Sequence, residues 1–172
     1  MKFTKIVLSM SLLASTLLAA ELVDYGALSK SLKAEAKKNG LYASADEVKM
    51  ALAAKDWAVV DVRTEEEWAG AYIKGSQRVG RQAPEKAIEN FVTDDDGKLV
   101  KDKIIVVCNT ASRASIDAQK FRQMGFTTVK IYDLHNWIDQ CNPVITKYSN
   151  AEDKNGTGHK FGNFYAEHCK KQ

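Results

Sequence analysis

Three cysteines occur in this 172-residue chain, and one of them stands where a thiolate could work. Cys108 directly follows an apolar run, residues 104–107, that reads as a buried strand, and a helical pattern opens about five residues later. The crevice beyond the carboxyl ends of strands is where open α/β sheets bind ligands. Between strand and helix stand Asn109, Thr110, Ala111 and Ser112, small or polar and without proline. Every backbone N–H of the loop can therefore turn toward the sulfur. The helix start adds unpaired N–H groups and partial positive charge, and Arg113 adds a full one. All three favour thiolate over thiol. Such a ring of amides would also hold the charged outer sulfur of a persulfide on Cys108. The competing reading is an inert core cysteine, against which the polar loop, the arginine and the following helix argue.

Cys141 and Cys169 remain. In an oxidising compartment a disulfide between them would tie the polar end of the chain to its last helix, contributing roughly 3–4 kcal/mol through chain entropy. A sulfur relay or pairing between chains stays open, because spacing does not supply distances. His159 and the pair His168-Cys169 lack metal-ligand spacing, so no metal is expected. His135 follows the third strand at the same sheet edge as Cys108; it either lines the pocket and meets an anion or is a surface loop residue.

The elements that must position these groups alternate. A lysine- and alanine-rich stretch, residues 21–40, carries Leu22, Leu28, Leu32 and Ala36 at near-helical spacing. Ser44 with Glu47, and Thr64 with Glu67, form two capping boxes that open short helices. Strands are expected at 57–62, 104–107 and 129–132, with a possible short one at 77–79. Pro84 suits a first helical residue, followed by Ile88 and Phe91. Asp94-Asp95-Asp96-Gly97 is a turn rather than a calcium loop, whose alternating ligands it lacks. A helix over 113–124 ends at Gly125, and a last one begins at Trp137 and stops near Pro143. This alternation argues for an open, mainly parallel α/β sheet.

Lys2 and Lys5, the apolar run 6–18 and Ala19-Ala20 have the layout of a secretory signal peptide over residues 1–20. The run is shorter than the ~20 residues of a spanning helix, so no stable membrane anchor is expected. Export to the periplasm follows. Without Lys2 and Lys5 the 25 basic residues become 23, against 22 acidic ones, and this balance gives no reason to expect a nucleic-acid partner. The chain then divides into a helical lead-in (21–42), one domain (43–146) and a tail (147–172).

The run Cys108-Asn109-Thr110-Ala111-Ser112-Arg113 resembles the active loop of rhodanese domains. Val60-Asp61-Val62-Arg63, Glu66-Glu67-Trp68 and Ala71-Tyr72-Ile73-Lys74-Gly75-Ser76 resemble the family's first signature, with Tyr72 where a histidine usually stands. Met124-Gly125-Phe126, leading through 129–132 to Trp137, gives a third match in the expected order. The resemblance implies a five-stranded parallel sheet flanked by helices, and sulfur transfer through a Cys108 persulfide without a cofactor. It implies a small sulfur-containing anion such as thiosulfate as donor, and as acceptor a thiol, a cyanide-like nucleophile or an exported protein. Asp61 and Arg63 would be buried supports of the loop, and residues 109–113 would bind the substrate. Cysteine phosphatases of related fold place their arginine six positions after the cysteine; here Arg113 is five after Cys108, a shorter ring better suited to sulfur. Two departures stand out: Ala111 where a glycine is frequent, and His135-Asn136 where two glycines often precede the tryptophan. The alternative to an enzyme is a sulfur-carrying or protein-binding module.

Overall fold

The computed structural model describes residues 22–149 and 161–170. The expected signal segment, residues 1–20, and His159 lie outside the described residues. The chain runs α1 (Tyr25–Lys38), α2 (Ala45–Ala53), β1 (Trp57–Asp61), α3 (Glu65–Gly70), β2 (Gln77–Arg78), α4 (Pro84–Ala87), α5 (Glu89–Val92), β3 (Lys103–Cys108), α6 (Ser112–Gln123), β4 (Thr128–Asp133), α7 (Leu134–Asp139), β5 (Val144–Thr146) and β6 (Gly162–Phe164). Both capping boxes form, Ser44 with Glu47 and Thr64 with Glu67. Each satisfies two orphan N–H groups and fixes where the chain leaves extended backbone.

The described main sheet is parallel in the order β2-β1-β3-β4. β1 and β3 are buried on both sides and β4 largely so, as a sheet covered by helices requires. Val60, Ile104, Val106, Cys108 and Ile131 face Ala114, Ala118 and Phe121 of α6 and Ala36 of α1. Val59, Ile105, Val107 and Tyr132 face Val48 and Ala51 of α2 and Leu134 and Trp137 of α7. The alternation along β3 thus decides that the Cys108 side chain lies on the α6 side.

The expected five strands are four among the described residues. Beyond β4, Tyr42 makes a single parallel bridge to Ile131; the Ala43 N–H donates to the Ile131 carbonyl at 3.0 Å and the Ile131 N–H to that of Leu41 at 2.9 Å. A ladder cannot extend there, because α1 closes at Asn39 and the capping box turns the chain into α2 at Ser44. The tail also builds more than its composition suggests. β6 pairs antiparallel with β5 in a second, two-stranded sheet, and Phe161 lies beside the stacked rings of Trp68 and Tyr72, 6.2 and 6.3 Å from their centroids. No described helix is long and apolar enough to cross a membrane.

Candidate active site

Register places the nucleophile candidate. Cys108 is the last residue of β3 and stands level with Asp133, the last of β4, at the carboxyl edge of the sheet. Its side chain is almost wholly buried, 1% exposed. The Ala114 N–H reaches its Sγ at 3.5 Å, one residue beyond the loop expected to supply the amides. The turn is made at Ala111, which has φ 59° and ψ 3°, the left-handed conformation that favours glycine. Its carbonyl accepts the first bond of α6 from the Ser115 N–H at 2.9 Å. Thr110 Oγ1 and Ser112 Oγ stand 3.3 Å apart on the outer side of the loop.

Arg113 does not aim its charge at the sulfur. Its guanidinium forks onto Glu67, Nη1 to Oε2 and Nη2 to Oε1, both at 2.6 Å. Hydrogen bonding to Arg113, the largest effect, together with the Thr64 N–H holds the Glu67 carboxyl down at about 2, and the same bonds push Arg113 above its ordinary value. The expected full positive charge is therefore paired, and the loop's anion-holding capacity rests more on its backbone. Glu67 also accepts from Asn109 Nδ2 at 2.9 Å. Sequence reasoning read Glu67 as a capping-box partner and as part of the Glu66-Glu67-Trp68 signature match, with no role at the Cys108 loop. Its contacts with Asn109 and Arg113 span more than forty positions, and no local pattern encodes them; an unpaired arginine at the loop end was the one available signal.

Behind the loop, Asp61 and Arg63 are 1% and 2% exposed. Arg63 donates to Asp61 through Nε at 2.9 Å and Nη2 at 2.6 Å. Its remaining N–H groups reach the Glu67 carbonyl at 3.1 Å, the Ala71 carbonyl at 2.6 Å and Asn109 Oδ1 at 3.0 Å. One buried guanidinium thus binds β1, α3 and the Cys108 loop together, which suits the planar fork of arginine. Asn109 is held from both ends, its oxygen by Arg63 and its nitrogen by Glu67.

His135 also comes to this edge. Its backbone N–H contacts the Asn109 carbonyl at 3.3 Å and the capping Asp133 Oδ1 at 2.9 Å, while its side chain is exposed. A cleft of about 480 Å³ opens beyond β1 and β2, lined by residues that include Thr64, Glu66, Arg78 and Arg81. Cys141 and Cys169 are brought together in a disulfide with Cα atoms 5.4 Å apart, and Cys108 is free. His168 joins those two within 4.8 Å, but neither sulfur of a disulfide is a thiolate ligand.

A parallel sheet with a free cysteine at its carboxyl edge, a short loop running into a helix, and a buried Asp–Arg pair behind it define a compact class of domain. The family profile described as the rhodanese-like domain matches residues 44–136, and the chain belongs to that family. Among solved structures it is similar to the 30 kDa polysulfide-sulfur transferase homodimer from Wolinella succinogenes, with TM-score 0.53 and 20% identity over 74% of this chain and 93% of that one. No curated protein matches.

Proposed function

We propose that the protein is a sulfurtransferase, exported to the periplasm, that moves sulfane sulfur through a persulfide on Cys108. The observation that carries this reading is the free Cys108 at the sheet edge, beneath a loop whose helix start donates the Ala114 N–H to its sulfur. The thiolate attacks the outer sulfur of thiosulfate or a similar donor. An S–S bond forms at Cys108 as the donor's S–S bond breaks, and sulfite departs with the electron pair. A thiol, cyanide or a thiol of an exported protein then attacks the outer sulfur, and the Cys108 thiolate is released. Loop residues 109–113 surround the donor, Asp61 and Arg63 hold the loop, and His135 stands at its rim. The neighbouring cleft is lined by Arg78 and Arg81 but also by Glu65 and Glu66, with Glu65 3.7 Å from Arg78, so it does not decide the charge of the donor. Polysulfide, named for the Wolinella protein, is a second donor beside thiosulfate. The apolar run before Glu21 supports export.

Near-complete burial of Cys108 and the pairing of Arg113 by Glu67 favour a second reading, a carrier that holds sulfur and turns over slowly. The test is thiosulfate-to-cyanide transfer by the protein and by Cys108→Ser, with intact mass measured on protein purified without reductant. Transfer that vanishes in the variant, with one added sulfur on Cys108 in the parent, is expected. An adduct without turnover favours the carrier. Transfer that survives in Cys108→Ser overturns the assignment.

A further inference from the structure

We propose that Asn109 is a positioning residue of the sulfur site: its side-chain amide closes the hydrogen-bond network beneath the Cys108 loop, and the place requires a neutral group that both donates and accepts. The inference deepens the sulfurtransferase reading, on which its kinetic readout rests. The placement of the side chain stands apart from that reading.

Two ion pairs meet under the loop, Arg63 with Asp61 and Arg113 with Glu67. Asn109 bonds to one member of each. Its Oδ1 accepts from Arg63 Nη1 at 3.0 Å, and its Nδ2 donates to Glu67 Oε1 at 2.9 Å. The chemistry fixes which way the amide points, because a guanidinium only donates and an ionised carboxylate only accepts. The backbone is held as well, since the Asn109 carbonyl accepts from the His135 N–H at 3.3 Å. The residue that follows the nucleophile is thereby tied to β1, α3 and α7, and its amide is engaged by the scaffold rather than by the donor.

Both partners depend on that amide. Glu67 Oε1 takes Asn109 and Arg113 Nη2, while Oε2 takes Arg113 Nη1 and the Thr64 N–H, which fills the carboxylate. Arg63 directs its other N–H groups at Asp61 and at the Glu67 and Ala71 carbonyls. A buried polar network is rigid when every member is satisfied. The charges balance too: each arginine has its own carboxylate. Cys108 lies beside the site, and Asp133 and the exposed His135 side chain stand on the α7 side. A carboxylate in place of the amide would face Glu67 without a cation of its own, so its carboxyl would be pushed above the ordinary value of about 4. Once protonated it again offers one donor and one acceptor oxygen, as the amide does.

Asn109→Ala and Asn109→Asp are compared with the parent in kcat and KM for thiosulfate and in urea unfolding, from about pH 4 to about pH 8. Asn109→Ala is expected to lower kcat roughly tenfold with KM within about twofold, because the amide orients the loop and does not bind the donor. Asn109→Asp should be at least as impaired at the alkaline end and approach the parent, measured at the same pH, as pH falls. Its stability follows the same course. The new carboxyl is raised in the folded state, so the deficit is smallest below its unfolded value of about 4 and grows as pH rises through the folded one. A deficit that is flat across the window overturns the inference, because the side chain then lies in solvent. An Asn109→Ala variant whose KM rises while kcat holds overturns it as well, since that marks a group that binds the donor. Unfolding is read without any sulfur donor. A protein that transfers no sulfur sinks the sulfurtransferase reading, while the pH course of stability still decides whether Asn109 closes the network.

Discussion

Glu67 and Arg113 meet in a two-pronged pair, both N···O distances 2.6 Å, that joins α3 to the first turn of α6 across the mouth of the Cys108 loop. The pair ties α3 to the helix whose N–H faces the sulfur. Glu67→Gln keeps the shape and loses the charge. Side chains 23% and 32% exposed are partly screened, so the expected loss is about 1–2 kcal/mol in urea unfolding. The acid dependence follows from the sign of the shift. The Glu67 carboxyl falls from 4.5 to about 2 in the folded protein, so its contribution is complete above the unfolded value and disappears as pH drops toward the folded one. The stability gap between parent and variant should hold above about pH 5 and close between ~4.5 and ~2. A gap that is flat over that window would rule out the ion pair as its source.

Asp61 is the sole carboxylate that Arg63 contacts among the described residues, and both are sealed from solvent. Asp61→Asn leaves a buried guanidinium without its counter-charge, an arrangement that loses roughly 3–5 kcal/mol. Because Arg63 also holds Asn109 and the α3 carbonyls, sulfur transfer should fall together with stability. Urea unfolding and the transfer assay check both. A loss below about 1 kcal/mol would mean that the pair is not the anchor its hydrogen bonds suggest.

Local pattern was enough for β1, β3 and β4, for both capping boxes and for the loop from Cys108 to Arg113, because burial period and cap chemistry lie within a few residues of one another. The remainder depends on long-range pairing. Glu67 serves its own helix and Arg113 at once, and only the first role is local. The lead-in was legible as a helix, but Tyr42 at the sheet edge was not, since a single bridge leaves no alternating run. The split of the Pro84 helix into α4 and α5, and the start of α7 at Leu134 under the Asp133 cap, are equally beyond periodicity. Ala111 stood out in the sequence as an alanine where the resembling loop often has glycine, and the structure gives it the left-handed φ of 59° that favours glycine.

The Cys141–Cys169 disulfide spans 28 positions, enough for roughly 3–4 kcal/mol by restriction of the unfolded chain. It holds the end of the tail beside α7, while β5–β6 pairing and Phe161 hold the part nearer α3. Cys169→Ser should lose about 2–4 kcal/mol in denaturant, and its stability should no longer respond to reductant. Sulfur loading on Cys108 should persist in that variant, because the disulfide is separate from the loop. Parent and variant with equal stability under non-reducing conditions would refute the stabilising role.

Ala111 is buried, touches the core and adopts φ 59°, so two substitutions there separate backbone strain from packing. Glycine relieves about 1 kcal/mol of left-handed strain, but it frees the unfolded chain and removes a buried methyl, effects of similar size and opposite sign. Ala111→Gly is therefore expected to stay within about 1 kcal/mol of the parent. Valine adds two methyl groups to a filled site and resists positive φ, so Ala111→Val should lose roughly 2–3 kcal/mol. Sulfur transfer should follow geometry rather than stability. The glycine variant keeps the turn that presents the Ala114 N–H to Cys108, and valine distorts it. Equal activity in the two variants would show that the turn at Ala111 does not govern the sulfur site.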